Sequence, residues 1–213
     1  MQPVTIVRNK TTSEAGGKYG YRETGDLSNY ELAFKVWRYG DGSRWRHWLM
    51  NPKKTLRGAD LKTGRIVLEV GCGTGFFTLP AAEMIGETGH LIAMDPLSDF
   101  VDKVRKKVAD AGFNNVEVIR RDALNTKLEA ASVDVILLFG VVPFPSLPLK
   151  RLLPEMHRVL KEEGTLAVWL FPTTAGVPTS ILRSGLFTDL DKKNGVYVYR
   201  RFNGCPRQAE NDG

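Results

Sequence analysis

Short apolar segments alternate with longer amphipathic segments between residues 64 and 171. The segment Arg65–Val70 (RIVLEV) is rich in β-branched residues and lies between two glycines, which is typical of a buried parallel strand. Four later segments of the same kind are predicted as strands: Leu91–Asp95, Val116–Ile119, Val135–Phe139 and Thr165–Phe171. Further on, Asn194-Gly195 is the dipeptide most typical of a tight hairpin turn, so two more extended segments are expected around it.

Helices are predicted in the connections between these strands. The first covers about Phe76 to Ile85, and Ser98 is expected to cap the second, which Gly112 ends. The third has an apolar side formed by Leu149, Leu152, Leu153, Met156, Val159 and Leu160. Pro154 is expected in its first turns, because a proline deep in the helix would break it. A short helix (SILRSGLF) is expected after Pro178.

This order of elements predicts an α/β fold, a Rossmann-like, seven-stranded, mostly parallel sheet with helices on both faces. The first five strands are expected to be parallel, and the C-terminal hairpin adds an antiparallel strand. Residues 1–28 are polar with scattered glycines, so we expect them to be loosely ordered or to order on binding. Residues 28–61 carry apolar side chains at mixed spacings, consistent with two short helices broken at residues 40–42.

The composition fits a globular protein, with 42% hydrophobic and 25% charged residues, and excludes a disordered, collagen-like or disulfide-stapled chain. The formal net charge of +6 arises in the N-terminal third, because residues 1–65 hold 13 basic and 6 acidic side chains. Two cysteines without a CxxC pair or a His/Cys cluster suit a reducing compartment and predict no metal site. No segment has the apolar length of a signal peptide or of a membrane span, so we expect a cytoplasmic location and no transmembrane segment.

A glycine-rich loop, residues 69–75 (EVGCGTG), follows the first predicted strand. In such a sheet the ligand lies outside the carboxyl ends of the strands, where glycines allow the backbone to turn sharply and to approach it. A dinucleotide fingerprint would need a glycine where Phe76 stands, and the Gly-Lys-Ser/Thr of a P-loop is absent. Glu69 would repel a pyrophosphate but attract an amino group or a sulfonium. A nucleotide-like cofactor with a cationic centre is therefore expected.

The run EVGCGTGFFT (residues 69–78) resembles motif I of the class I S-adenosylmethionine-dependent methyltransferases. The resemblance implies that Asp95, at the end of the second strand, binds both ribose hydroxyls, and that Asp122, after the third strand, contacts the adenine amino group. S-adenosylmethionine is then the cofactor and S-adenosylhomocysteine the product. The cofactor-binding residues that the resemblance implies are Glu69, Gly71, Cys72, Gly73, Thr74, Gly75, Phe76, Asp95, Pro96, Asp122, Ala123, Phe139 and Gly140.

The resemblance extends over roughly residues 64–203. Residues 155–164 resemble the family's helix-to-fifth-strand signature, which usually ends Pro-Gly-Gly, although Glu162 and Glu163 replace its first two residues at an expected turn. The chain accordingly divides into three parts: an N-terminal arm and helical lid or substrate segment (1–63), an S-adenosylmethionine-binding methyltransferase domain (64–205) and a C-terminal tail (206–213).

The acceptor side of the expected site is apolar. Residues 139–145 (FGVVPFP), at the end of the fourth predicted strand, carry no polar side chain. They also lack the Asn/Asp-Pro-Pro-Tyr/Phe motif with which amino-group methyltransferases hold a planar nitrogen. Val142 and Phe144 either form an apolar lip for a small or greasy acceptor or pack in the core.

The lid segment interleaves aromatic and basic residues between positions 34 and 57. Residues 48–52 (WLMNP) resemble the quinone-biosynthesis methyltransferases and their small-molecule-methylating relatives. Trp45 and Trp48 are therefore expected to wall an aromatic or isoprenoid acceptor, while basic side chains meet its acidic groups or anionic lipid headgroups in a peripheral membrane contact. His47 is the candidate catalytic base, needed only where the acceptor must lose a proton.

Our main prediction is methyl transfer to a small organic acceptor by in-line displacement, accelerated mainly by alignment in an apolar pocket. Other interpretations stay open. Basic and aromatic residues together also favour RNA, with phosphates against Arg and Lys and bases stacked on Trp, which would make the protein an RNA methyltransferase. The tryptophans could instead be core residues of the lid beneath a solvated charged surface. A domain without acceptor chemistry would be a non-catalytic cofactor-binding module.

Overall fold

The computed structural model describes residues 51–143, 147–170 and 176–204, so the expectations for residues 1–50 lie outside the described residues. In chain order the elements are α1 (Pro52–Leu56), a 3₁₀ helix (Arg57–Ala59), β1 (Ile66–Val70), α2 (Thr78–Ile85), β2 (His90–Asp95), α3 (Ser98–Asp110), β3 (Val116–Arg120), β4 (Val133–Phe139), α4 (Leu149–Val159), β5 (Leu160–Trp169), α5 (Val177–Arg183), β6 (Phe187–Lys193) and β7 (Val196–Arg201). None of the helices in these ranges is both long and apolar enough to cross a bilayer.

Within the described residues, seven strands form one sheet in the order β3-β2-β1-β4-β5-β7-β6. Strands β1 to β5 pair in parallel, and β7 is antiparallel to both β5 and β6. The predicted mostly parallel sheet with an antiparallel C-terminal strand is confirmed. The strand order reverses between β1 and β4, so the carboxyl ends of these two strands border the crevice in which sheets of this kind bind ligands.

Both faces of the sheet are covered by helices. Val67 and Leu68, adjacent in β1, belong to different hydrophobic clusters, because successive side chains of a strand point to opposite faces. On one face, α4 buries four side chains: Leu152, Leu153, Met156 and Val159. Each is worth roughly 1.5–3 kcal/mol when fully buried. On the other face, Leu56 and Ala59 join Ile85 of α2 in the core, so residues 52–59 pack on the sheet.

The predicted hairpin between β6 and β7 is confirmed. Asn194 and Gly195 have φ angles of 51° and 77°, and two positive values are what a two-residue turn of type I′ requires. Val196, the first residue of β7, pairs with Trp169, the last residue of β5. The tip of the hairpin therefore lies at the carboxyl edge of the parallel strands.

The start of α3 corrects one expectation. Ser98 does not cap this helix, because it is the first helical residue and Leu97 occupies the N-cap position without a side-chain cap. The Leu97 amide instead donates to Oδ1 of Asp95 at 2.9 Å. The predicted end is confirmed, since Gly112, with φ of 72°, follows the last turn and can adopt the left-handed conformation that ends many helices.

The start of β5 differs from the prediction. The strand begins at Leu160, directly after α4, rather than at Thr165. Residues 161–164 bulge out of the ladder between the pairs Val133–Leu160 and Val135–Thr165. The two glutamates that replace the family's proline and glycine therefore lie in a β-bulge rather than in a simple turn.

The last helix is also shifted. The sequence predicts a helix over residues 180–187, after Pro178. The structure instead has a helix over Val177–Arg183, which begins three residues earlier and ends four residues earlier. Gly185 then turns the chain with φ of 68°, and Phe187, 3% exposed, begins β6. Pro154 is the sixth residue of α4, and the helix continues through it.

Candidate functional site

The glycine loop follows β1 at the point where the strand order reverses. Gly71, Gly73 and Gly75 have positive φ angles of 71°, 51° and 79°. A Cβ on Gly71 would lie 2.5 Å from Cγ1 of Val141, so close packing against the segment after β4 requires glycine there. A Cβ on Gly73 would meet nothing nearer than the Gly71 carbonyl oxygen at 4.0 Å. The loop therefore faces open space at Gly73, and this space is the candidate ligand site.

Asp95 holds the loop against the end of β2. The residue is only 2% exposed, and its Oδ2 accepts the Gly73 amide at 3.0 Å while Oδ1 accepts the Leu97 amide at 2.9 Å. The Gly71 amide donates to the Met94 carbonyl oxygen at 2.8 Å. Burial raises the pKa of Asp95 above its ordinary value, and the two amide bonds offset part of that rise. A buried carboxyl group is thereby fixed beside the open space.

Glu69 is the second buried carboxyl group of the site. It is 3% exposed, and Oγ1 of Thr78 donates to its Oε2 at 2.6 Å. Burial raises the pKa of Glu69 to about 8; the bond from Thr78 lowers the pKa, and the negative charge of Asp95 raises it. No basic side chain within the described residues pairs with either carboxyl group. A ligand that brings positive charge would therefore stabilise the ionised form of both acids.

Two further contacts hold the glycine loop: the buried side chain of Cys72 and a hydrogen bond from Lys107. Cys72 is 4% exposed, and burial, followed by the charges of Glu69 and Asp95, raises the pKa of its thiol far above the ordinary value. The thiol stays protonated and acts as a small apolar side chain, not as a nucleophile. From α3, Nζ of Lys107 donates to the Thr74 carbonyl oxygen at 2.7 Å, a contact that sequence analysis did not predict.

Asp122 lies on an exposed loop after β3, next to the end of β2. The Arg121 amide donates to the carbonyl oxygen of Asp95 at 3.2 Å, which joins the two segments. Oδ1 of Asp122 accepts the Leu124 amide at 2.9 Å and closes a tight turn, beneath which Ala123 is buried. The structure thus brings the two acids of the second and third strands to neighbouring loops on one edge of the sheet.

A hydrogen-bond network that sequence analysis missed anchors this loop to α4. Oε1 of Glu155 accepts the Thr126 amide at 2.9 Å and the Thr126 hydroxyl at 2.6 Å, and Arg158 donates to both oxygens of Glu155 at 2.8 Å. The bond from Arg158 is the main cause that lowers the pKa of Glu155 to about 2. The i,i+3 spacing of Glu155 and Arg158 signals their pairing, but nothing in the sequence indicates Thr126 as the third member.

Four aromatic rings form a cluster at the carboxyl edge of the sheet. The ring of Phe77 contacts Phe76 at 4.8 Å between centroids, Phe139 at 5.0 Å and Trp169 at 5.7 Å, each roughly edge to face. Such pairs contribute about 0.5–1.5 kcal/mol beyond the area that they bury. Phe139 is 6% exposed, whereas Phe76 and Trp169 are partly buried. Since Phe76 directly follows Gly75, this aromatic cluster adjoins the glycine loop.

The other predicted site residues fall into two groups. The first group lies within the described ranges. Val142 is 1% exposed and packs in the core. The Gly140 amide donates to the Trp169 carbonyl oxygen at 2.9 Å, and Nε of Arg120 donates to the Pro96 carbonyl oxygen at 3.1 Å. The residues that lie outside the described ranges are Trp45, His47, Trp48 and Phe144. Most of the segment on which the RNA interpretation depends lies there too. Within the described ranges, no three His, Cys, Asp or Glu side chains are grouped to bind a metal ion.

The part of the chain that contains the glycine loop and the two buried acids is similar in sequence to known methyltransferases. Residues 67–164 match the family described as "Methyltransferase domain". A demethylmenaquinone methyltransferase of Listeria monocytogenes is 34% identical over 143 residues, which are 67% of this chain and 55% of that protein. The Bacillus subtilis protein of the same name is 28% identical over 137 residues, 64% of this chain and 55% of that protein. This chain thus spans about half the length of the curated relatives that it matches.

Solved structures show the same fold. A SAM-dependent methyltransferase from Aquifex aeolicus is similar to this chain with a TM-score of 0.61 and 27% sequence identity, over 79% of this chain and 96% of that one. The family match runs from β1 into β5 and therefore contains the glycine loop, both buried acids and Asp122.

Proposed function

We propose that this chain carries a methyltransferase domain of the class I, S-adenosylmethionine-dependent type and that the protein methylates a small organic acceptor. The observation that most supports this function is the pair of buried carboxyl groups, Glu69 and Asp95, beside the open space at Gly73. Burial raises the pKa of both, and no basic side chain among the described residues pairs with either carboxyl group. S-adenosylmethionine would bring a positive charge.

The residues present fit this cofactor. The open space at Gly73 is one that a side chain would occupy, and glycine leaves it clear. Each oxygen of Asp95 accepts one amide and retains capacity for a hydroxyl donor, so we assign the ribose hydroxyls to it. Glu69 suits the cationic methionine end. Asp122, exposed at the same edge, suits the adenine amino group.

Methyl transfer of this kind depends more on the alignment of donor and acceptor than on a reactive protein side chain. S-adenosylmethionine supplies a methyl group on a sulfonium, whose positive charge is lost on transfer. Holding donor and acceptor in line accounts for up to about 7–11 kcal/mol of a barrier of this kind. The amides around Asp95 fix the loop, and the aromatic cluster excludes water from the adjoining edge. The protonated thiol of Cys72 agrees with a mechanism that has no protein nucleophile.

For the acceptor we propose an apolar ring system of the quinone class. Two relatives are demethylmenaquinone methyltransferases, and Phe76 and Trp169 place partly buried aromatic rings beside the glycine loop. Aromatic side chains favour flat ligands through stacking and edge contacts. Methylation of a ring carbon requires removal of a proton, a role that we propose for His47. We place this activity in the cytoplasm.

Titration calorimetry of the full chain with S-adenosylmethionine tests the cofactor assignment. Asp95→Ala should weaken binding at least about tenfold, because the two hydrogen bonds that we assign between its carboxylate and the ribose hydroxyls of the cofactor are lost. Asp102→Ala is the matched control, since it removes an exposed acid of α3 and should leave the affinity unchanged. Asp122→Ala, on an exposed loop, should weaken binding without loss of folding and replaces Asp95→Ala if that variant does not fold.

Formation of S-adenosylhomocysteine with a short-chain demethylmenaquinone analogue in its reduced, hydroquinone form tests the reaction, because only the electron-rich hydroquinone ring can lose a proton and attack the methyl group through carbon. We expect turnover that requires both substrates and is lost in Asp95→Ala. An unmodified chain that does not bind S-adenosylmethionine would overturn the proposed function. Tight binding without turnover on any acceptor of this class would overturn the quinone-class acceptor, and a non-catalytic cofactor-binding module would also give no turnover on RNA.

A further inference from the structure

A basic groove lies between the helical turn before β1 and the tip of the C-terminal hairpin. Lys54 and Arg57 line it from one side and Lys193 from the other. The rest of the lining consists of the apolar side chains of Leu61 and Met84 and the polar residues Asn51, Asp60 and Asn194. Its volume is about 570 Å³. Sites for small molecules commonly have volumes of about 300–1,000 Å³, so the groove has room for more than a simple inorganic ion.

Close packing of the backbone builds this groove. Gly58 lies directly against the hairpin, where a Cβ would overlap the Lys193 carbonyl oxygen and come within 2.8 Å of Val196. Leu56 and Ala59, on either side of the contact, are 0% and 1% exposed. The segment that carries Arg57 is therefore packed directly against the hairpin.

The three cations of the basic groove are not held in ion pairs with described residues. Among the residues that the structure describes, Lys54, Arg57 and Lys193 take part in no ion pair, and Asp60 is the one acid on the groove. The cations next to them in sequence or on the same segment do have partners: Lys53 with Glu83 at 2.7 Å, Lys62 with Asp60 at 3.2 Å and Lys192 over the Tyr197 ring at 4.4 Å. The lining of the groove therefore carries more positive than negative charge, with three cations against one acid.

We propose that the basic groove binds the phosphate group of an amphiphilic molecule, whose apolar part lies on Leu61 and Met84. An arginine supplies a planar fork that matches phosphate oxygens, and two lysines add point charges. The volume exceeds what a free phosphate fills, and the apolar lining suits an attached hydrocarbon portion. A phospholipid headgroup and a soluble phosphate ester share this chemistry. The site does not depend on methyl transfer, because cofactor-binding residues do not line it.

Methyl resonances of methionine report binding at the basic groove directly. Met84 lines the groove, whereas Met94 and Met156 are 1% and 0% exposed in the core and serve as internal references. The full chain with ¹³C-methyl methionine is titrated with dihexanoylphosphatidylglycerol below its micelle concentration and, separately, with inorganic phosphate. Met84→Leu assigns the signal. We expect a saturable shift of Met84 alone, at lower concentration with the phospholipid than with phosphate.

Two triple variants of equal charge separate the groove from general electrostatics. Lys54→Gln/Arg57→Gln/Lys193→Gln should weaken phospholipid binding at least about tenfold, in line with the loss of several charge-assisted bonds. Lys103→Gln/Lys150→Gln/Arg183→Gln removes three exposed cations elsewhere and should leave binding unchanged. Equal affinity of the two variants, or no saturable Met84 shift with either probe, would overturn the proposal.

Sedimentation with vesicles distinguishes the sources of the phosphate. Binding to phosphatidylglycerol vesicles that is lost in the groove variant identifies a lipid surface as the source. Binding of the monomeric phospholipid without sedimentation identifies a soluble phosphate ester. Activity is not the readout, so failure here leaves the proposed methyl transfer intact, and failure of methyl transfer leaves this proposal intact.

Discussion

The buried acids Glu69 and Asp95 and the cations of the basic groove differ in how far their unpaired charges are exposed to water. Glu69 and Asp95 are 3% and 2% exposed, whereas Lys54, Arg57 and Lys193 are all exposed to solvent. Neither group forms an ion pair among the described residues. A charge kept from water changes its protonation, because the ionised form loses its solvation. A charge in water keeps its protonation and gathers counter-ions instead. Changes in pH should therefore perturb the first region, and changes in salt the second.

The largest expected effect is the pH dependence that Glu69 gives to folding. Its pKa rises from an ordinary 4.5 to about 8 in the folded protein. A raised pKa stabilises the fold fully below about pH 4.5, and this contribution is lost as the pH rises through 8. Glu69→Gln removes this ionisable group and with it the loss of stability at high pH. The free energy of unfolding of the variant, relative to that of the unmodified protein, should therefore increase between pH 5 and 9, by roughly 4 kcal/mol at most. Urea denaturation of the ligand-free protein at several pH values measures the difference.

Glu155 is the matched control, because its pKa is shifted the other way, to about 2, mainly by the bond from Arg158. Its contribution to stability is present above pH 4.5 and lost as the pH falls through 2. Glu155→Gln should therefore destabilise the protein near neutral pH, and the difference should vanish towards pH 2. Slopes of the same sign in both variants would contradict the contrast between a buried unpaired acid and a paired one.

Most of the fold could be predicted because the central strands β1, β2 and β4 are buried on both faces and therefore have apolar sequences. Where the chain leaves that pattern, prediction was wrong. The bulge at residues 161–164 has the charged sequence of a turn, yet it stays inside β5 because Leu160 and Thr165 both pair with β4. Phe187 follows a helix-like run but belongs to β6, since it pairs with Arg201. Both outcomes depend on partners distant in sequence.

The candidate site shows the same limit. The glycine loop could be predicted because it follows a strand at the carboxyl edge of the sheet, whereas Asp95, at the end of β2, was implied by the resemblance to a known family. The contact between Lys107 and Thr74 joins residues 33 apart, and the basic groove joins Lys54 to Lys193. No local pattern links such pairs. Their proximity follows from how α3 packs on the loop and how Gly58 packs on the hairpin.

The next largest effect concerns the loop that presents Asp95. Gly71→Ala adds a Cβ 2.5 Å from Val141 and forces a non-glycine residue to φ of 71°. We expect a loss of about 2–3 kcal/mol in stability, from strain and overpacking together, and weaker cofactor binding. Gly112→Ala is the control for strain alone, because Gly112 has φ of 72° and no atom within 4 Å of the added carbon. Thermal denaturation showing equal losses would mean that packing against Val141 costs nothing.

A smaller effect should separate the two regions by salt. Between about 50 and 200 mM salt, phospholipid binding at the basic groove should weaken roughly three- to tenfold, because exposed charges are screened at these concentrations. Binding of S-adenosylmethionine should change less than about twofold, since the acids that we assign to it are buried. Parallel calorimetric titrations measure both. Equal salt sensitivity would show that the acids are reached by solvent ions and that burial does not distinguish the regions.

The smallest effect tests how an exposed charge supports the buried site. Lys107→Gln removes the bond from Nζ to the Thr74 carbonyl oxygen, and cofactor affinity should fall about two- to fivefold, the value of one exposed charge-assisted bond. Lys106→Gln is its control, because it breaks only the exposed pair with Asp110 at 2.8 Å on the same helix. Calorimetry showing equal affinities in the two variants would mean that the bond between Gly73 and Asp95 holds the loop without help from α3. Lower affinity in Lys107→Gln alone would show that the bond from Lys107 to the Thr74 carbonyl oxygen helps to hold the glycine loop in its binding conformation.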